Sequence, residues 1–204
     1  MDIADTYRTL AVLSEGLYKE KGSKFIGYAT PCYNEQEAKE LLAGWRKAHH
    51  QSRHLCYAYR FGLKKDVYRA NDDGEPSNSA GAPILGQIQS FELTNVLVGV
   101  VRYFGGTKLG VGGLIQAYRT AAREAILNGE MVDRKVFEHI QTAFGYVAMP
   151  EVMSLVKQHQ LTVENQDFQE NCKLDLALPL DVADHLKALL LKQNELKLES
   201  KGIY

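Results

Sequence analysis

The sequence predicts an α+β chain of two domains, residues 1–132 and 133–204, the second with the βαββαβ order of a ferredoxin-like fold. Three observations carry that reading. Val96–Val101 is a nearly unbroken apolar run rich in valine, which suits a strand buried on both faces. It empties through a glycine-rich stretch, Phe104–Gly113, into a helical pattern with Leu114, Tyr118, Ala121, Ala122 and Ala125 on one side. From Val136 onward a new series of strand and helix patterns begins, after a helix stop at Asn128-Gly129 and the charged Asp133-Arg134-Lys135.

In chain order, residues 13–20 and 23–30 read as two short strands joined by a turn at Lys21-Gly22. Asn34 is an expected N-cap, with Glu37 at capping-box spacing, for a helix whose buried stripe is Ala38, Leu41, Leu42 and Trp45 and which ends near His49-His50. His54–Phe61 alternates as a strand, with His54, Cys56, Ala58 and Arg60 on one face and Leu55, Tyr57, Tyr59 and Phe61 on the other. Residues 66–70 can pair with it as a hairpin. Asn71–Ser79 is a loop by composition, and Pro83 sits near the start of a short helix carrying Ile84, Leu85 and Ile88. In the second domain, residues 136–144, 161–168, 173–179 and 195–199 read as strands. The helices between them carry Val152, Leu155 and Val156 after Pro150, and Leu186, Leu189 and Leu190 after a cap at Asp181.

Composition narrows the function classes. No apolar run approaches the ~20 residues that span a bilayer, and MDIADTYRTL lacks the basic-then-apolar layout of a signal peptide, so a cytoplasmic protein is expected. Cys32, Cys56 and Cys172 are far apart, odd in number and outside any CxxC, which signals neither a zinc knuckle nor a disulfide framework. A net charge of −1 argues against tight, sequence-independent binding of nucleic acid. Residues 1–132 carry 16 Lys+Arg against 14 Asp+Glu and the rest 8 against 11, so any polyanion contact belongs to the first half.

Several groups carry candidate chemistry. A strand that runs into a glycine-rich loop and a helix N-terminus can cradle an anion on unpartnered amides. Here Gly105, Gly106, Gly110, Gly112 and Gly113 would supply the loop, and Arg102 and Lys108 the positive charge. No nucleotide-binding motif is completed, and a tight strand-to-helix connection explains the same glycines equally well. Asp72, Asp73 and Glu75 could hold Mg²⁺ beside a phosphate, or serve only as turn residues in Asp73-Gly74 and Glu75-Pro76. His49, His50, His54 and Cys56 are metal-ligand types without a local spacing that unites them, and Cys56 reads best as a small buried hydrophobe. Of Tyr57, Tyr59, Phe61, Tyr103 and Phe104, any left on an open surface could stack on bases; most read as core.

Asp72-Asp-Gly-Glu-Pro76, Ala80-Gly81, Pro83-Ile-Leu85, Val100-Val-Arg-Tyr-Phe-Gly-Gly106, Lys108-Leu-Gly110 and Gly112-Gly-Leu114, with His54-x-Cys56 and Lys21-Gly-Ser-Lys-Phe25, resemble the signature of the IMPACT (YigZ-like) family over residues 14–128. The resemblance implies that the first domain is like ribosomal protein S5 domain 2, and that the second is like the last domain of elongation factor G. Eukaryotic relatives restrain a starvation-sensing kinase of translation initiation by competing for its activator, largely through a further domain. The resemblance implies no enzymatic reaction and no cofactor. The expected function is a non-catalytic, translation-linked protein contacting RNA or a ribosome-associated protein. Its binding residues would be His54, Asp72, Asp73, Glu75, Arg102, Gly105, Gly106, Lys108, Gly110, Gly112 and Gly113, without a membrane contact. The alternative is an enzyme acting on a phosphorylated small molecule or nucleotide, with Asp72 and Asp73 holding Mg²⁺ or acting as base.

Overall fold

The computed structural model describes residues 3–169, 172–193 and 195–204. It is a mixed α/β chain with antiparallel sheets in two compact units, Tyr7–Arg134 and Met1–Thr6 with Lys135–Tyr204.

The first unit is built on a five-stranded sheet of β2 (Ser14–Glu20), β3 (Ser23–Pro31), β4 (His54–Phe61), β5 (Val67–Asn71) and β6 (Val96–Tyr103), ordered β2-β3-β6-β4-β5. Every neighbouring pair is antiparallel. Lys21 and Gly22, both at positive φ, form the two-residue turn between β2 and β3, a geometry whose twist matches that of the paired strands. β6 lies at the centre, and its alternate residues enter different cores. Val96, Val98 and Val100 pack with α2 (Gly81–Ser90) and α3 (Gly110–Leu127). Leu97 and Val101 pack with α1 (Glu35–Ala48). That two-sided burial is what the apolar run predicts.

α1 starts as the sequence indicates: Asn34 Oδ1 accepts the Glu37 N–H at 2.9 Å, and Glu37 Oε2 accepts the Tyr33 N–H at 2.8 Å. Its Trp45 lies over Gly99 of β6, where a Cβ would come within 2.7 Å of the indole, and stacks on Tyr28 at 5.1 Å. On the opposite face α3 approaches the hairpin through Gly16 and Gly27. A Cβ at Gly27 would sit 2.4 Å from the Ala121 carbonyl oxygen, and one at Gly16 2.3 Å from the Ala125 nitrogen. Beyond α1, His49 is held between two phenols, with Nε2 2.6 Å from Tyr28 Oη and Nδ1 2.8 Å from Tyr103 Oη.

In the second unit β8 (Phe137–Phe144), α4 (Met149–Gln158), β9 (Thr162–Phe168), β10 (Cys172–Pro179), α5 (Ala183–Leu190) and β11 (Lys197–Ile203) follow the expected βαββαβ order. The sheet order is β11-β8-β10-β9, with antiparallel neighbours. Leu174, Leu176 and Leu178 share one core with Val152 and Val156 of α4 and Leu186 and Leu190 of α5.

The structure departs from the sequence expectations in several places. α3 begins at Gly110 rather than Leu114, so Gly110, Gly112 and Gly113 form its first turn instead of a loop. Two short strands to which the sequence assigns no element, β1 (Thr6–Leu10) and β7 (Met131–Lys135), pair as a separate ribbon, and the second of them contains the charged Asp133-Arg134-Lys135. Their exposed charges, such as the Arg8–Asp133 pair at 2.9 Å, hide the strand alternation. Asp181 does not cap α5: the N-cap is Val182, with no side-chain cap bond, and residues 180–182 form a single tight turn. β11 continues past Glu199 through a register shift between Ser200 and Gly202.

Gly27→Ala forces the α3 backbone away from β3 and lowers stability by about 1–3 kcal/mol in chemical denaturation, the usual cost of overpacking. Burial holds the His49 imidazole below its ordinary pKa. The unfolded chain therefore takes up this proton first. The stabilisation from neutral His49 is complete above about pH 6.5 and is lost as pH falls through the lowered folded value. The drop in Tm between about pH 7.5 and about pH 5.5 is accordingly smaller in His49→Gln than in the parent protein.

Candidate functional site

The ends of β3, β4 and β6 bring three side chains into one row, since Arg102 is the register partner of Phe25 on one side and of His54 on the other. The row lies beside the N-terminus of α3. Arg102 is 8% exposed, and its guanidinium carbon lies 5.5 Å from the centre of the Phe25 ring and 5.6 Å from that of Phe104. Its Nη1 donates to Glu75 Oε1 at 2.6 Å, and the Tyr118 hydroxyl of α3 donates to the same oxygen at 2.8 Å. Glu75 is 4% exposed, so two opposite charges meet almost out of water. Arg102 Nε is buried and has no hydrogen-bond partner among the described residues. Burial first, then the neighbouring Cys56 and Glu75, raise the Tyr118 pKa and keep the phenol protonated as a donor.

The acidic turn does not act as one unit. Asp72 Oδ1 accepts the Ala80 and Gly81 N–H groups at 2.9 and 2.8 Å, and its Oδ2 accepts the Asn78 N–H at 2.9 Å. It thereby closes the loop and supplies the acceptor that the start of α2 needs. Asp73 Oδ2 accepts the Leu55 N–H and pairs with Arg46, both at 2.6 Å. Both residues hold the turn in place, and only Glu75 reaches the α3 end. His54 Nδ1 lies 2.8 Å from the Asp73 carbonyl oxygen, which can only accept, so Nδ1 carries the hydrogen and Nε2 holds the lone pair of the neutral ring. Among the described residues no three His, Cys, Asp or Glu side chains are grouped to hold a metal ion. Cys56 is buried, donates to the Asp72 carbonyl oxygen at 3.0 Å, and has its thiol pKa raised by burial. That is the opposite of an activated nucleophile.

The glycines divide by role. Gly105 is a packing residue: its N–H donates to Ser23 Oγ at 3.1 Å, and a Cβ there would come within 1.9 Å of the Gly22 backbone. Gly106 and Gly110 have φ of +87° and +72°, values that L side chains rarely adopt. A Cβ at Gly113 would come within 3.0 Å of the Leu109 side chain, whereas one at Gly112 would meet nothing within 4 Å. α3 has no side-chain cap at its N-terminus.

Glu75, Arg102, His54, Lys108 and Gly110 line one cavity of about 420 Å³ at this end of α3. The structure thus brings five of the eleven sequence candidates together and leaves Asp72 and Asp73 as supports behind them. It adds Arg53, which no motif marked, and Phe104, 57% exposed, while Tyr59 and Phe61 are buried in the α1-side core. With Arg102 matched by Glu75, the cavity keeps the positive charges of Arg53 and Lys108, which pair with no carboxylate among the described residues, beside helix amides that no side chain caps, an arrangement that attracts an anion.

Asp72→Ala removes an acceptor for three amides and costs about 1–2 kcal/mol. Glu75→Ala strands the buried Arg102 charge and costs about 3–5 kcal/mol. Glu75→Gln, which keeps the oxygen for Tyr118, falls between them in the same denaturation series.

Comparison with known proteins gives a consistent result. The family model "Impact N-terminal domain" matches residues 21–126. An IMPACT family member from Thermus thermophilus is 39% identical over 77% of this chain and 84% of its own length. The IMPACT family member YigZ of Escherichia coli is 30% identical over 78% of this chain and 79% of its own. A crystal structure described as a hypothetical protein superposes with a TM-score of 0.77 at 26% identity, covering 98% of each chain. No helix among the described residues is long and apolar enough to cross a membrane.

Proposed function

This chain belongs to the IMPACT family, and from that premise we propose that it is a non-catalytic, translation-linked binding protein of the cytoplasm. It contacts RNA or a ribosome-associated protein through the cavity at the start of α3. The observation that carries the proposal is the placement of two exposed cations, Arg53 and Lys108, around the uncapped α3 N-terminus on the rim of a single cavity. We further assign the Tyr7–Arg134 unit to the ribosomal protein S5 domain 2-like class. The strand order β11-β8-β10-β9 supports a ferredoxin-like assignment for the second unit.

Binding is favoured over catalysis by where the carboxylates go. An enzyme on a phosphorylated small molecule needs a base or a metal held by Asp72 and Asp73, and these oxygens accept backbone amides and the Arg46 guanidinium instead. Glu75 is tied to Arg102 and Tyr118. Gly112 fits a binding surface as well, because neither its φ nor a neighbouring atom requires glycine there, while a bare backbone lets a partner come close.

Arg53 and Lys108 are exposed, so reversing their charge leaves the buried network intact. In Arg53→Glu/Lys108→Glu, co-sedimentation with ribosomes or RNA weakens, and the slope of log K against log salt falls by about one for each lost phosphate contact. Unchanged co-sedimentation, together with loss of a thermal shift by a small phosphorylated compound, would transfer the site to the enzyme reading.

A further inference from the structure

We infer that the unit this cavity recognises is a nucleotide of single-stranded RNA, its phosphate at the α3 N-terminus and its base stacked on the exposed ring of Phe104. The inference rests on the proposed anion-binding function and adds a ligand class to it. The Arg102 guanidinium carbon lies 5.5 Å from the centre of the Phe25 ring and 5.6 Å from that of Phe104. Phe25 is 0% exposed and meets Tyr118 edge-on at 5.2 Å, so it is closed to a ligand. Phe104 is 57% exposed and lines the cavity. An exposed aromatic ring beside cationic groups offers a stacking platform to a flat nucleobase, which a peptide backbone does not exploit.

The rest of the lining agrees. The cavity, at about 420 Å³, far exceeds a phosphate group and lies in the range of small-molecule sites. Beyond Arg53 and Lys108 it is faced by Pro76, Leu109, Val111 and Leu114, apolar groups that suit a base or sugar edge better than a second charge. Arg102, nine-tenths buried, lines this space, and its Nε has no hydrogen-bond partner among the described residues. An acidic peptide would supply the anion and leave the aromatic face unused.

The test uses the full chain and a labelled oligoadenylate ribonucleotide read by fluorescence anisotropy, with inorganic phosphate, AMP and an acidic peptide as competitors. AMP competes at least several-fold better than phosphate. Phe104→Ala weakens the oligonucleotide by roughly 5- to 100-fold, the loss expected for one base–aromatic stack, and abolishes the advantage of AMP over phosphate. Phe104→Trp keeps the affinity, and its emission is quenched on binding. Equal competition by AMP and phosphate, a stronger effect of the acidic peptide, or Phe104→Ala binding like the parent overturns the inference. If Phe104→Ala is silent while Arg53→Glu/Lys108→Glu still weakens binding, only the nucleotide assignment falls. If both are silent, the binding function falls with it.

Discussion

The buried pair of Glu75 and Arg102 is the constraint on which the site depends. One carboxylate oxygen takes a hydrogen bond from a β6 guanidinium and another from an α3 phenol, and so ties the acidic loop, the central strand and the long helix at one point. A charge pair this dry is kept only where geometry compensates lost hydration, and removal of either partner leaves the other uncompensated. The Phe25 and Phe104 rings, each within about 6 Å of the guanidinium carbon, reduce its need for water.

Around that point the fold prepares a surface by close approach. Gly16 and Gly27 bring α3 onto the β2–β3 hairpin, and Gly105 brings the loop against Gly22. The N-terminus of α3 thereby shares one cavity with His54 of β4 and Arg102 of β6. Asp72 and Asp73 work at one remove, since they fix the turn that delivers Glu75 and position the His54 ring through a backbone carbonyl. At this site the Glu75–Arg102 pair is buried, whereas Arg53 and Lys108, which pair with no carboxylate among the described residues, are exposed.

Much of this was legible in the chain because it rests on periodicity and local chemistry. The two-faced burial of β6, the cap of α1 by Asn34 and Glu37 and the repeated pattern after Val136 need only neighbours in sequence to be recognised. The short β1–β7 ribbon was not legible, because five-residue strands without apolar alternation, one of them ending in three consecutive charges, Asp133-Arg134-Lys135, look like linker. Nor was the start of α3 at Gly110, since glycine has poor helix propensity and occupies three of the first four positions.

The sequence by itself determined the family, the α+β order of elements and the presence of a glycine-rich, locally basic stretch near an acidic turn. Only the tertiary structure decided which of those charges are free. Asp72 and Glu75 are chemically similar and three residues apart, yet one is consumed by loop amides and the other crosses to β6 and α3. Whether a carboxylate is a brace, a counter-ion or a ligand depends on which donors lie within about 3 Å of it. That distance is set by strands and helices far away in sequence, and no spacing of letters records it.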